Sequence, residues 1–123
     1  FFSFEKTLAQ LHAQGKKVFI VLSNPTSPDF RPQNMVSRLT LASTAIDRID
    51  REAFVHHITP VTARLRAIAT RTGATLIDPV PFLCTKTACP TRTPAGRPIY
   101  KDDNHLRPFY AVEKATYIDK ILQ

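Results

Sequence analysis

The residue types that could do chemistry in this sequence lie in the segment 99–108, where a carboxylate, Asp102, precedes a histidine, His105, by three residues. A histidine that acts as a general base needs one ring nitrogen free to take a proton and the other held by an acceptor, which fixes the tautomer and the orientation of the ring. If Asp102 and His105 share one turn of backbone, their side chains can meet without help from another element. The pair then lacks only a nucleophile.

Asp102, Asp103 and Asn104 are also good turn-forming residues. Asp and Asn side chains bond nearby backbone groups, and the Leu-Arg-Pro that follows suits the start of a helix. A structural turn therefore explains the segment as well as a catalytic pair does, and the residues alone leave both interpretations open.

The size and composition of the chain are typical of one folded domain. Its 123 residues are 43% hydrophobic and 22% charged, and the sequence has no apolar run long enough to span a membrane. The first residues, Phe1 and Phe2, bring neither an initiator Met nor a signal peptide. We therefore expect residues 1–123 to be one soluble unit that is part of a longer protein.

Basic residues outnumber acidic ones by 17 to 10, which gives a net charge of +7. They are spread along the chain without a dense block, so we do not expect nucleic acid as a partner. Several surround the Asp102/His105 segment and would attract an anionic glycan, an acidic substrate or a lipid headgroup. We take Arg107 as a candidate substrate-binding residue. The residues of this basic group are Lys86, Arg92, Arg97, Lys101 and Arg107.

Cys84 and Cys89 are the two cysteines of the chain, with four residues between them. Zinc prefers four ligands, and no second Cys or His pair has suitable spacing, so we expect no metal site and no other cofactor. The spacing is also longer than that of a Cys-x-x-Cys redox motif. A local disulfide is favoured and would place the domain outside the cytosol, with two reduced thiols as the alternative.

The first part of the chain predicts a helix followed by a buried strand. Phe4, Leu8 and Leu11 recur at helical spacing before a glycine that suits a C-cap. Residues 18–22 form a continuous apolar run, which is typical of a strand buried on both faces of a parallel sheet. The three prolines that follow predict a loop over residues 23–33, at the carboxyl end of that strand, where α/β proteins build active sites.

Asn24 lies at the start of this loop and has the residue type of an oxyanion-hole donor. Asn before Pro is also a common turn former, and the turn interpretation is favoured. We keep Asn24 as a candidate substrate-binding residue.

A helical crossover is predicted between the first strand and a second one. Thr44 and Asp47 have the spacing of a capping box at the start of a helix. Pro60 either kinks this helix or begins a new one, and the helical pattern ends at Gly73. Residues 74–79 then predict a second parallel strand. The residues expected to face inward at the start of the helix are Ile46, Ile49 and Ala53.

Residues 79–101 contain five prolines and both cysteines, and they predict a long irregular region that is ordered if the cysteines are joined. This region leads to Asp102 and His105, after which Pro108 suits the first position of a terminal helix. Strands that alternate with helical patterns favour an α/β fold. The expected inward face of the terminal helix is Ala111, Ala115, Ile118 and Leu122.

The order of these elements, together with a few specific residues, resembles the C-terminal half of SGNH-type hydrolase domains. More specifically, it resembles the extracytoplasmic SGNH domain fused to membrane acyltransferases that O-acetylate bacterial cell-surface glycans. The resemblance runs from about residue 9 to the end of the chain. Its most specific part is Asp102-x-x-His105-Leu106, preceded by Tyr100 and the cysteine pair. The residues 18–25 and 76–79 also carry it.

The resemblance implies a three-layer α/β/α fold with a parallel sheet, incomplete in this chain. It implies that His105 is the general base that takes a serine proton and that Asp102 orients and balances its imidazolium. Asp103 we assign to local structure. The implied location is the extracytoplasmic, periplasmic face of the inner membrane, as a domain of a membrane protein. The implied partners are a cell-surface glycan or lipid-linked saccharide and a membrane-embedded acyltransferase domain in the same polypeptide.

The chain also departs from the family pattern. Members commonly have Ser after the His-Leu pair and Gly four residues after the Leu, where this chain has Arg107 and Tyr110. The family's Gly-Asp-Ser block, which carries the nucleophile upstream, is absent from this sequence. We therefore expect an acyltransferase or esterase that works through an acyl-serine when the domain is intact, and no activity from this chain alone.

A non-catalytic function is the alternative, because fold does not determine function. In that case the domain would be an accessory module that binds anionic surface glycan and has lost the chemistry of its family. The residues that would bind the glycan are Lys86, Arg92, Arg97 and Arg107.

Overall fold

Two short parallel strands, joined by a long helix, organise the protein. The computed structural model describes residues 1–35 and 47–122. In chain order its elements are α1 (Phe2–Ala13), β1 (Phe19–Val21), β2 (Arg48–Asp50), α2 (Arg51–Thr72), β3 (Thr75–Ile77), α3 (Val80–Leu83), β4 (Ala88–Pro90) and α4 (Pro108–Lys114). Short 3-10 segments lie at Pro28–Phe30, Pro32–Met35 and Ala115–Leu122.

β1 and β3 pair in parallel, with Ile20 opposite Leu76. Parallel neighbours need a crossover connection, and α2 supplies it. The predicted α/β class is therefore confirmed. The three-layer sandwich stays a prediction, since the parallel sheet formed by the described residues has two strands.

One face of the pair packs against α1 and α2. Leu8, Ile20, Ile68 and Ala69 form a buried cluster there. Arg71 of α2 also donates to Glu5 of α1, with Nη2 2.9 Å from Oε2. Because successive residues of a strand point to opposite faces, Phe19, the neighbour of Ile20, packs against a second core.

The second core contains three tyrosines and holds the loops that follow the strands. Its buried members are Phe30, Ile77, Leu83, Ile99, Tyr100, Tyr110 and Tyr117. The rings of Phe30 and Tyr100 stack with their centroids 4.0 Å apart. This contact joins the loop after β1 to the segment that precedes Asp102.

The expectation that the first strand is buried on both faces is wrong for this chain. Ile20 and Leu22 are buried, but the Val21 side chain is 45% exposed. Likewise, Leu8 is buried in α1, whereas Phe4 and Leu11 are largely exposed. An apolar run shows that its side chains favour burial. Which of them are buried depends on the helices and strands that pack against each face.

The predicted capping box at Thr44 and Asp47 does not begin the helix. Thr44 and Ile46 lie outside the described residues, while Asp47 precedes β2 and Ile49 lies within it. α2 instead begins after Asp50, whose Oδ1 accepts a hydrogen bond of 2.7 Å from the N–H of Ala53. Strand pairing explains the difference, because Ile49 is opposite Cys89 in the antiparallel pair of β2 and β4.

α2 continues through Pro60, so no new helix begins there. A proline removes one backbone donor, and a helix of 22 residues retains enough other bonds to continue. The helix ends as predicted at Gly73, which adopts a left-handed conformation with φ 72°.

The end of the chain differs from the predicted terminal helix. Pro108 opens α4 as expected, but the α-helix ends at Lys114 and a 3-10 segment follows. The buried side chains are Tyr110 and Tyr117, whereas Ile118 and Leu122 are exposed. Both tyrosines belong to the second core.

The region predicted to be irregular contains a short helix, α3, and the strand β4. Cys84 and Cys89 form a disulfide that joins the end of α3 to β4. Arg51 supports the same turn, since Nη1 donates to the carbonyl of Thr85 at 3.3 Å. Within the described parts of the chain, no helix has the length and apolar character needed to cross a membrane.

Candidate acid–base site

Asp102 and His105 meet as the sequence predicts. Nδ1 of His105 lies 2.9 Å from Oδ1 and 2.9 Å from Oδ2 of Asp102. Oδ1 of Asp102 also accepts the backbone N–H of His105 at 2.9 Å and that of Asn104 at 3.2 Å. The carboxylate therefore forms the turn and holds the imidazole at once, so the two interpretations left open by the sequence are compatible.

The contact determines which ring nitrogen is available. When Nδ1 carries its proton toward the carboxylate, Nε2 is left as the nitrogen that can take a proton from another group. The hydrogen bonds also lower the pKa of the Asp102 carboxyl to about 2, first through the backbone N–H of His105 and then through that of Asn104. Asp102 is therefore ionised at any pH near neutrality.

A tight hairpin presents the pair. The backbone N–H of Lys101 donates to the carbonyl of His105 at 2.8 Å, and that of Arg107 donates to Ile99 at 2.8 Å. Tyr100 and Leu106 form a bridge between the two sides. Ile99 and Tyr100 are buried in the second core, so the start of the hairpin is anchored while its tip extends toward solvent.

The tip itself is open to solvent. The side chains of His105 and Asp102 are 74% and 43% exposed. His105 borders two open clefts of about 370 and 380 Å³. The first is lined by Arg31, Gln33, Lys101, Asp102, Asp103, Asn104 and His105. The second is lined by Val21, Leu22, Ser23, Asn24, Thr26, Asn104, His105, Tyr117 and Ile118.

Asn24 lies beside His105 in the second cleft. Its Oδ1 accepts a hydrogen bond of 3.3 Å from the Tyr117 hydroxyl, and its Nδ2 is 3.5 Å from the carbonyl of Asn104. The amide therefore links the end of β1 to the hairpin tip and to the last 3-10 segment. Both contacts are to distant parts of the chain, in a cleft that a substrate could also reach. The role of Asn24 in substrate binding stays a prediction.

Arg107 faces its own segment. Its Nε donates to the carbonyl of Tyr100 at 3.2 Å, and its backbone forms the N-cap of α4. Arg107 is not among the residues that line the two clefts beside His105. Its role in substrate binding stays a prediction.

Sequence reasoning missed the contacts that hold the hairpin tip from the other side. The carbonyl of Asp103 accepts the N–H of Ser27 at 3.0 Å and the hydroxyl of Thr26 at 3.1 Å. The Asp103 carboxylate accepts both Nε and Nη2 of Arg31. No spacing rule relates residues 72 positions apart, and an Arg in a proline-rich loop resembles any exposed basic residue.

The site lies beyond the carboxyl end of β1, the usual position of active sites in open α/β sheets. An α/β scaffold with a histidine–carboxylate pair there defines a hydrolase- or acyltransferase-like module. The family model described as "SGNH domain (fused to AT3 domains)" matches residues 2–117, and the chain belongs to this family. The resemblance to SGNH domains fused to acyltransferases is thus confirmed. Searches among curated proteins and solved structures gave no match.

Proposed function

We propose that this chain supplies the histidine and the carboxylate of a Ser-His-Asp triad in an SGNH-type O-acyltransferase or esterase that acts on cell-surface glycan. The observation that carries the proposal is the contact of 2.9 Å between Nδ1 of His105 and the Asp102 carboxylate. A second support is the open position of His105, where a hydroxyl from another part of the protein can reach Nε2.

In this mechanism, Nε2 of His105 takes the proton of a serine hydroxyl as the serine oxygen attacks the acyl carbonyl carbon. Asp102 stabilises the imidazolium that forms. The imidazolium then returns the proton to the leaving group, and an acyl-serine remains. A glycan hydroxyl, or water in an esterase, gives its proton to His105 and attacks the acyl-serine. The bond to the serine oxygen breaks, His105 returns the proton to that oxygen, and the new ester or acid is released.

The nucleophile of this mechanism comes from polypeptide outside the chain. The sequence contains no Gly-Asp-Ser. Ser23 lines the second cleft with His105, whereas the Ser27 hydroxyl donates to Asp29 at 3.0 Å. The exposure of the acid–base pair is consistent with a further segment that packs over it and completes the site.

The wider setting follows from the family and from the disulfide. A family fused to AT3 domains suggests a membrane-embedded acyltransferase domain in the same polypeptide as the source of the acyl group. The Cys84–Cys89 bond suits an oxidising compartment, so we place the domain on the periplasmic face of the inner membrane. We assign Asn24 and Arg107 to binding of a cell-surface glycan or lipid-linked saccharide, with no cofactor.

A non-catalytic module that binds anionic glycan is the second candidate, supported by the basic residues near the Asp102/His105 segment. One of these basic residues, Arg97, also has a contact within the chain, where its guanidinium lies 4.0 Å from the ring centroid of Phe109. Such a module would bind an anionic glycan equally well with or without His105.

The test uses the full-length protein with an activated acetate ester and an acceptor glycan. His105→Ala and Asp102→Asn are each expected to lower kcat by about 10⁴-fold, because the triad acts as a unit. Ser23→Ala is expected to leave kcat within twofold of the wild type, since we assign the nucleophile to other polypeptide. Full turnover by His105→Ala would reject the triad, and loss of turnover in Ser23→Ala would place the nucleophile within this chain.

A further inference from the structure

The hairpin tip carries two adjacent carboxylates, and the structure separates their partners. Asp102 accepts from His105, whereas Asp103 accepts from Arg31 through two parallel bonds, of which Nη2 to Oδ2 measures 2.7 Å. The guanidinium is the side chain best suited to hold a carboxylate in this two-bond geometry. Each carboxylate is thereby engaged by a different side chain.

Asp103 is also the point where the loop after β1 is fastened to the hairpin. Its carbonyl accepts from Ser27 and Thr26, and its side chain accepts from Arg31 of the same loop. The loop is itself anchored, because Phe30 is fully buried and stacks on Tyr100. Asp103 therefore links the hairpin tip, next to Asp102, to a loop that is anchored in the second core.

The charge balance at the tip depends on Arg31. Hydrogen bonds from Arg31 lower the pKa of the Asp103 carboxyl, against the opposing effects of desolvation and, to a smaller extent, of the Asp102 charge. Without the guanidinium, Asp103 would be a second negative group beside Asp102, free to turn toward the imidazole. His105 could then be held by either carboxylate, with a different ring orientation for each.

We propose that Arg31 and Asp103 are positioning residues that hold the Asp102–His105 turn in its productive orientation. The proposal rests on the proposed function, since it assigns the pair a role in that reaction. Arg31 and Asp103 are 46% and 36% exposed as side chains, and exposed ion pairs contribute little to global stability. Their effect on the reaction therefore arises from geometry, while the protein stays folded.

The experiment compares Arg31→Gln, Arg31→Lys and Asp103→Asn in the full-length protein. A matched control is Arg71→Gln, because Arg71 holds Glu5 through a similar two-bond contact between α1 and α2, with similar exposure. We expect Arg31→Gln and Asp103→Asn each to lower kcat by about 10- to 100-fold with an unchanged KM. Arg31→Lys is expected to recover part of this loss, and Arg71→Gln to leave kcat unchanged.

A second readout is independent of activity. Millisecond hydrogen exchange followed by mass spectrometry is expected to show faster exchange in peptides that span residues 26–31 and 101–107 in Arg31→Gln and Asp103→Asn. Arg71→Gln is expected to leave both peptides unchanged. The double variant of Arg31 and Asp103 is expected to resemble either single variant, because the two residues act as one unit.

Unchanged exchange in both peptides would overturn the positioning role, as would an equal fall of kcat in Arg71→Gln. Full activity of His105→Ala would instead reject the proposed function. The exchange measurement would then still decide whether Arg31 and Asp103 hold the turn.

Discussion

Nδ1 of His105 lies within 2.9 Å of both oxygens of Asp102, three positions earlier in the sequence. The same carboxylate accepts two backbone N–H groups of its own turn. The orientation of the imidazole is therefore coupled to the local fold of the hairpin, and a change that disturbs the turn also disturbs the ring.

The pH dependence of the turn follows from Asp102. Its pKa is lowered to about 2 in the folded protein, against about 3.9 in an unfolded chain. The unfolded state binds more protons between these values, so the contribution of this carboxylate to stability is complete above about pH 4 and is lost as the pH falls through about 2. A ¹³C-carboxyl NMR titration is expected to give a midpoint near 2 for Asp102. A midpoint near 3.9 would show that the hydrogen bonds of the turn are not formed.

Removal of the disulfide is expected to destabilise the protein moderately. For a loop as short as that between Cys84 and Cys89, the chain-entropy relation gives about 2 kcal/mol of free energy of unfolding. The double variant Cys84→Ser, Cys89→Ser should therefore unfold at a lower temperature or denaturant concentration. The wild type with reductant is the matched comparison. Equal stability of the two oxidation states, or two free thiols by mass in the native protein, would contradict this expectation.

Gly73 is expected to be intolerant of a side chain for two reasons. Its φ of 72° is unfavourable for other residues, and a Cβ would lie 2.7 Å from Cε1 of His12. Gly73→Ala should lower the free energy of unfolding by at least the roughly 1–2 kcal/mol that the backbone conformation costs, with a small excess because the exposed His12 ring can move away from the added Cβ. Gly96→Ala is the control, because Gly96 has φ 78° and an added Cβ would have no neighbour within 4 Å. An equal loss of unfolding free energy in the two variants would mean that the His12 ring moves away from the added Cβ at no cost.

Tyr100 buries a hydroxyl for which the described residues provide no hydrogen-bond partner. Burial also raises the pKa of this hydroxyl above its usual range. Since an unpaired buried polar group is unfavourable, Tyr100→Phe is expected to leave the free energy of unfolding unchanged or to increase it by about 1 kcal/mol. Tyr117→Phe is the comparison and should be destabilising, because the Tyr117 hydroxyl donates to Asn24. Denaturant unfolding measures both, and a loss in Tyr100→Phe would reveal an unseen partner.

Local patterns predicted the elements that depend on neighbouring residues. The strand within residues 18–22, the left-handed end at Gly73, the first helical position of Pro108 and the disulfide are all present. So is the contact of Asp102 with His105, because a separation of three residues lets a turn bring these side chains together.

Tertiary packing decided the features that local patterns predicted wrongly. Helix α2 begins after Asp50 because Ile49 is taken into a strand pair with Cys89, a residue 40 positions away. The buried face at the end of the chain belongs to Tyr110 and Tyr117 because the second core accommodates aromatic rings there.

The sequence by itself determined the contact between Asp102 and His105, since the two residues are neighbours on one turn and need no other element to meet. Only the tertiary structure decided what surrounds that turn. The bonds from Arg31, Thr26 and Ser27 to Asp103 join segments more than 70 residues apart. The physical reason is that such contacts form only after the two strands and their loops have packed, and no periodicity in the chain records them in advance.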